Sequence, residues 1–73
     1  MAKTSKQDKD KIIGEFETMK SYELSARDLY AQIAADRRVN EQRVKDVFTN
    51  LAADEQRHAD LVQEIIDLVN DTL

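Results

Sequence analysis

The sequence predicts an all-α protein, an antiparallel two-helix hairpin that pairs with a second copy of itself to form a four-helix bundle. Proline is absent, glycine occurs once at Gly14, and strong helix formers are abundant. Apolar residues recur at helical spacing along two stretches of about 30 residues each. The 73-residue chain is short for a self-sufficient core and has no cysteine, so we expect a second chain or a bound metal to stabilise it.

Each segment of the chain has its own pattern. Residues 1–7 are polar and are expected to form a flexible N-terminal arm, followed by the hairpin over residues 8–73. Helix 1 is predicted from about residue 8 to 36 and helix 2 from about 41 to 70. Residues 37–40 form the turn, with Asn40 as the predicted N-cap of helix 2. One unbroken helix fits less well, because the apolar registers of the two stretches disagree across the charged turn.

The apolar seam of each predicted helix contains ionisable side chains in one region only. In helix 1 the seam consists of Ile12, Phe16, Met19, Glu23, Ala26, Tyr30 and Ile33. In helix 2 it consists of Val44, Phe48, Leu51, Glu55, His58, Val62, Ile65 and Val69. An antiparallel hairpin that turns near residue 39 brings Glu23 level with Glu55, and His58 lies one turn further along. The three polar groups therefore share one layer between apolar layers.

A metal site explains this polar layer best. Two facing carboxylates buried without a cation would repel each other and lose their hydration. The i, i+3 spacing of Glu55 and His58 places both side chains on one helix face, where a carboxylate and an imidazole can bind the same metal centre. One hairpin supplies half of the ligands of a two-metal carboxylate bundle, so a second copy must contribute another Glu23, Glu55 and His58.

Asp54 and Tyr30 are candidates for supporting roles. Asp54 lies beside Glu55 on a flanking stripe of apolar residues. It is either an acid that orients a metal-bound histidine or part of the solvated surface. Tyr30 is either an ordinary core aromatic or a hydrogen-bonding residue near the site.

Composition and charge argue against several classes of partner. The net charge of −4, without a basic stripe, argues against a nucleic-acid partner. No apolar run approaches the roughly 20 residues that span a bilayer, and the lysine-rich start lacks the apolar region of a signal peptide. We therefore expect a soluble cytoplasmic protein with no membrane attachment.

Over about residues 23–62 the chain resembles half of a four-helix bundle of the ferritin-like superfamily. Glu23 followed by Tyr30 is similar to the first metal-binding helix of rubrerythrins and encapsulated ferritins. Phe48 followed by Glu55 and His58 is similar to their second. A complete member has two such motif pairs in one chain, so this chain is expected to dimerise, as encapsulated ferritins do.

The run Asp54-Glu55-Gln56-Arg57-His58 also resembles a signature of bacterial di-iron oxygenases. In that family the acid holds the histidine of the opposite half of the bundle. The resemblance implies that Asp54 of one chain supports His58 of the other. The cysteine cluster of the rubredoxin-like domain in rubrerythrins is not found in this sequence.

The resemblance implies a di-iron or di-manganese carboxylate protein with two metal ions per dimer, acting as a ferroxidase or related oxidoreductase. Fe(II) would react with O2 or peroxide in iron handling or oxidative-stress protection. Glu55 would bridge the metals, Glu23 would be a terminal or chelating ligand, and His58 a terminal nitrogen ligand.

The predicted partner is a second copy, and higher oligomers remain open. An encapsulin compartment is another location that the resemblance suggests, although residues 68–73 show no clear cargo peptide. The alternative function is a metal-free helical dimerisation module in which the polar layer only sets the register.

Overall fold

The computed structural model describes residues 4–73, which form two long helices packed side by side. Helix α1 spans Lys6–Ala35 and helix α2 spans Gln42–Thr72. The molecule measures 58 × 14 × 13 Å, so it is a rod only two helices wide. The predicted all-α hairpin is confirmed, and no strand occurs within residues 4–73. Over the same residues, neither helix combines the length and the apolar character needed to cross a membrane.

Helix α1 begins earlier than the sequence pattern predicts. The Ser5 hydroxyl accepts a hydrogen bond from the backbone N–H of Asp8 at 3.0 Å. This N-cap satisfies a free donor of the first turn, so the helix starts at Lys6 rather than at Asp8. Residues 6 and 7, which were expected to belong to the N-terminal arm, are thus helical, and residues 1–3 of that arm lie outside the described part of the chain. At the other end the helix stops at Ala35.

The turn is held by local charge pairs rather than by glycine or proline. The Asp36 carboxylate accepts hydrogen bonds from the backbone N–H and the guanidinium of Arg38, at 2.8 and 2.7 Å. The side-chain bond from Arg38, followed by the backbone bond, lowers the pKa of Asp36. Glu41, rather than the predicted Asn40, caps α2, because its carboxylate accepts from the backbone N–H of Arg43 at 2.8 Å. Carboxylate groups that accept hydrogen bonds thus stabilise this turn at both of its ends.

Few side chains are fully buried between the two helices. On α2 these are Ala59, Val62 and Ile66, and within Lys6–Ala35 there are none. Most other apolar residues at the contact are half-buried. Two helices leave much of each circumference uncovered, so a single hairpin builds only a thin core.

Polar contacts join the helices along their length. The Lys9 ammonium donates to the backbone carbonyl of Asn70 at 2.8 Å, and the Lys20 ammonium donates to the Gln63 side-chain carbonyl at 2.7 Å. Residues near the start of α1 therefore lie beside residues near the end of α2. These contacts fix the antiparallel register of the two helices, which determines which residues lie at the same height along the hairpin.

The seam predicted for α2 is only partly correct. Ile66 is buried, whereas Ile65 and Val44, both predicted seam residues, are 38% and 40% exposed. On α1 the predicted seam residue Met19 is 46% exposed. The hairpin covers only the side of α2 that faces α1. These three seam residues therefore lie outside the contact between the two helices.

Candidate metal centre

Glu23, Glu55 and His58 come together near the middle of the hairpin. Each offers one ligand atom, and these atoms all lie within 4.8 Å of one another. His58 Nδ1 lies 3.5 Å from a Glu23 carboxylate oxygen and 3.9 Å from a Glu55 carboxylate oxygen. The i, i+3 spacing directs Glu55 and His58 to the same side of α2, and the antiparallel register brings Glu23 to their level. The structure therefore brings together all three predicted ligand residues.

The two carboxyl groups lie close together. A side-chain hydrogen bond with Glu23 raises the pKa of Glu55, and desolvation and the negative charge of Glu23 raise it further. The nearby His58 acts in the opposite direction. A hydrogen bond between two carboxyl groups requires a proton, because two carboxylates have no donor to share. The position between them therefore attracts positive charge, which a metal cation can supply in place of the proton.

The three ligand residues differ in exposure. The side chains of Glu23 and Glu55 are 25% and 20% exposed, whereas the imidazole of His58 is 47% exposed. Both carboxylates thus lie in the groove between the helices, and the histidine lies at its edge. The exposed imidazole leaves the group open to solvent on that side.

The chemistry of this donor set fits iron or manganese. Carboxylate oxygens and an imidazole nitrogen are ligands that both divalent metals accept, and no soft thiolate is present to favour other metals. Three protein ligands leave open positions on a metal. In two-metal bundles each half supplies one glutamate and one Glu-x-x-His pair, which is the set that Glu23, Glu55 and His58 provide.

Asp54 and Tyr30, the predicted supporting residues, lie outside this group. The Asp54 side chain is largely exposed, and its carboxylate lies 3.4 Å from the Arg57 guanidinium. Tyr30 packs against Phe48, with ring centroids 6.0 Å apart and planes inclined by 41°. Within one chain, Asp54 therefore pairs locally and Tyr30 is part of an apolar layer. Their roles at a metal centre stay predictions.

A cross-helix pair beside the site is not predicted by any sequence pattern. The Arg27 guanidinium on α1 donates a hydrogen bond to the Gln56 side-chain carbonyl on α2. Arg27 lies one turn after Glu23, and Gln56 follows Glu55, so the bond fixes the register at the level of the carboxylates. Both residues are ordinary surface types. The contact could have been predicted only by matching each residue of α1 with the residue of α2 at the same height along the hairpin.

Comparison with known proteins gives one match. A family model described as Rubrerythrin matches residues 12–73, a range that includes most of α1, all of α2 and the three clustered ligand residues. A search of curated proteins and a search of solved structures each found no match.

Proposed function

Because the chain belongs to the rubrerythrin family, we propose that it is a di-iron carboxylate protein in which two copies share one two-metal centre. The observation that carries the proposal is the convergence of Glu23, Glu55 and His58 from both helices. Family membership supports iron as the metal, and manganese suits the same ligands. A two-fold copy would bring four carboxylates and two neutral imidazoles together, which balances the charge of two divalent cations.

The proposed roles follow from the position of each side chain. Glu55, which lies close to Glu23 and is the least exposed of the three, would be the bridging carboxylate. Glu23 would be a terminal or chelating ligand, and His58 would supply a terminal nitrogen from the edge of the groove. The ring pair of Tyr30 and Phe48 lies on the side of the site toward the turn.

The proposed reaction is the oxidation of Fe(II) to Fe(III), with O2 or peroxide taking up the electrons. Bound iron supplies the one-electron chemistry, and the protein supplies charge, ligand geometry and an open coordination position. This places the chain among ferroxidase-type oxidoreductases that act in iron handling or in protection against peroxide.

An anaerobic Fe(II) titration followed by exposure to air tests the proposal. We expect about one iron per chain, from two metals per pair of chains, and a rise in ferric absorbance after air is admitted. Glu55→Ala should abolish stoichiometric binding. Glu64→Ala is the matched control, because Glu64 is an exposed acid on the same helix and lies outside the cluster.

The titration also separates iron chemistry from the alternative of a metal-free dimerisation module. That module would stay helical and dimeric but bind no stoichiometric iron, and metal would not raise its melting temperature. Weak binding by the unmodified chain, or equal binding by Glu55→Ala, would overturn the proposed function.

A further inference from the structure

Two half-buried glutamines of α2 join the helices through the same set of contacts. The Gln56 side-chain carbonyl accepts a hydrogen bond from the Arg27 guanidinium, and the Gln56 amide nitrogen donates to the Asp60 carboxylate at 2.9 Å. Arg27, Gln56 and Asp60 form a continuous line of cation, amide and carboxylate, which we name the arginine bridge. Both polar atoms of the Gln56 amide are engaged, so the orientation of this side chain is fixed.

A second bridge of the same chemistry lies one heptad away along both helices. The Lys20 ammonium donates to the Gln63 side-chain carbonyl at 2.7 Å, and the Gln63 amide nitrogen donates to the Asp67 carboxylate at 2.9 Å. We name these three residues the lysine bridge. Each of them is seven positions from its counterpart in the arginine bridge. The same three contacts therefore recur at the helical repeat of the contact between α1 and α2.

The cations of the two bridges are the residues that flank Glu23 along α1. Lys20 precedes Glu23 by three residues, and Arg27 follows it by four. Side chains at these spacings are neighbours on a helix surface, and an acid followed by a base at i+4 is the favourable order for an ion pair. Both corresponding positions beside Glu55 are alanines. Of the two carboxylates, Glu23 is thus the one with cations in reach on its own helix.

Neither cation binds Glu23, although an ion pair would be the stronger contact. In the part of the chain that the structure describes, Glu23 pairs with His58 and with no lysine or arginine. Arg27 uses Nε and Nη2 for the Asp28 carboxylate, at 2.9 and 2.7 Å, and Nη1 for Gln56. A hydrogen bond between two charged groups is stronger than one to an amide. The Gln56 carbonyl thus occupies the donor that Glu23 would otherwise attract.

The aspartate at the end of each bridge strengthens the hold on the cation. Hydrogen bonds in a chain polarise one another, so a carboxylate that accepts from the amide nitrogen makes the amide carbonyl a better acceptor. Asp60 and Asp67 each follow their glutamine by four residues, a spacing at which side chains meet on a helix. Both aspartates are exposed and lie outside the ligand group. An uncharged amide, supported by a distant acid, therefore holds each cation.

We propose that the glutamines of the two bridges are positioning residues for the metal centre. They hold Arg27 and Lys20 away from Glu23 and so keep this carboxylate available to a metal. A guanidinium on Glu23 would occupy a ligand oxygen and repel an approaching dication. This inference rests on the proposed function, because it assigns to the ligand group a cationic competitor and the residues that restrain it. The larger effect belongs to Gln56, which lies at the level of the ligands, whereas Gln63 lies two turns further along α2.

A purely structural role of the bridges is the competing explanation. The bridges would then only fix the register of the helices, and removing either partner of a bridge would disturb the site in the same way. The two explanations differ when a cation is removed together with its glutamine. The competitor of Glu23 is then absent, whereas the contact between the helices is still lost.

Mn(II) binding by variants of the arginine bridge tests the proposal, because Mn(II) suits the same ligands. Gln56→Met keeps the length of the side chain and removes its polar atoms. It should weaken Mn(II) binding about tenfold, because the freed guanidinium can form a charge-assisted bond with Glu23. Adding Arg27→Met to the same chain should restore the affinity. Gln42→Met is the matched control, since Gln42 donates to an aspartate four residues later at 2.8 Å and takes part in neither bridge.

The restored affinity is the result that a structural role would not produce. A double variant that binds Mn(II) as weakly as Gln56→Met would overturn the proposal, and so would a Gln56→Met chain that binds as tightly as the Gln42→Met control. No binding of Mn(II) by the unmodified chain would instead count against the proposed function.

Urea unfolding in chelator, at one protein concentration, tests the hold on Arg27 without metal. In the unmodified chain, Glu23→Gln and Arg27→Met should change the unfolding equilibrium independently. In the Gln56→Met background the same two changes should be coupled by about twofold or more in the unfolding equilibrium constant, because the two charges then pair. Independent effects in that background would overturn the proposal even if the chain binds metal. Coupling in a chain that binds no Mn(II) would reject the metal function alone.

Discussion

The two faces of α2 differ in what covers them. The inner face, with Ala59, Val62 and Ile66, is buried against α1. The opposite face, which we name the outer stripe, has exposed side chains, several of them as large as Ile66: Val44, Val47, Asp54, His58, Leu61, Ile65 and Leu68. A chain that completed its own core would bury its largest apolar groups. The contrast shows that the hairpin covers one side of α2 and leaves the other side exposed.

The candidate metal centre lies where these two faces meet. Glu55 belongs to the covered face and lies close to Glu23 from α1, whereas His58 belongs to the outer stripe. The carboxylates therefore find each other within one chain, but the imidazole remains half-exposed. This division explains why one hairpin forms a three-residue group and why the proposed function needs a second copy.

The largest expected effect is on the free energy of unfolding, which should fall much more for a substitution on the inner face of α2 than for one on the outer stripe. Ile66→Ala removes a buried side chain from the inner face and should cost about 2–5 kcal/mol, enough to unfold most of so small a domain. Leu68→Ala removes an exposed side chain and should weaken only the dimer. Urea unfolding at several protein concentrations measures both. More concentrated protein should restore the Leu68→Ala midpoint but leave Ile66→Ala destabilised, and equal behaviour would contradict the contrast.

A smaller but more specific effect is expected from charge placed in the outer stripe. Val47→Glu and Ile65→Lys should each weaken the dimer by about a hundredfold or more, because each buries unpaired charges at the interface. Sedimentation of each variant beside the unmodified chain measures this. Variants that associate as tightly as the unmodified chain would contradict a packing role for the outer stripe.

The sequence predicts at what height along the hairpin the site lies, but it does not predict which face of α2 is covered by α1. With a turn near residue 39, antiparallel geometry alone places Glu23 opposite Glu55. Ile65 and Ile66 differ by 100° around the helix, and which of them is buried depends on how many helices pack against α2. The cap at Glu41 likewise depends on the backbone angles of the turn, which composition does not specify.

The smallest expected effect is a pH dependence that arises where the two faces meet. The hydrogen bond with Glu23 raises the pKa of Glu55 above its ordinary 4.5. A raised carboxyl pKa stabilises the folded state at low pH, and this contribution is lost as the pH rises through the folded-state value. The metal-free chain should therefore lose stability between acidic and neutral pH through this group. Asp36, whose pKa Arg38 lowers, acts with the opposite sign, so the comparison must be made with Glu55→Gln.

Thermal melts in chelator from pH 5 to 8 would measure the difference, with Glu55→Gln lacking the loss that the unmodified chain shows. Adding Fe(II) without oxygen should reverse the trend, because metal and proton compete for the same carboxylates and metal binding strengthens as the pH rises. Identical profiles for the two chains in chelator would mean that Glu23 and Glu55 share no proton. In that case the two covered carboxyl groups would not differ in this respect from the exposed acids of α2.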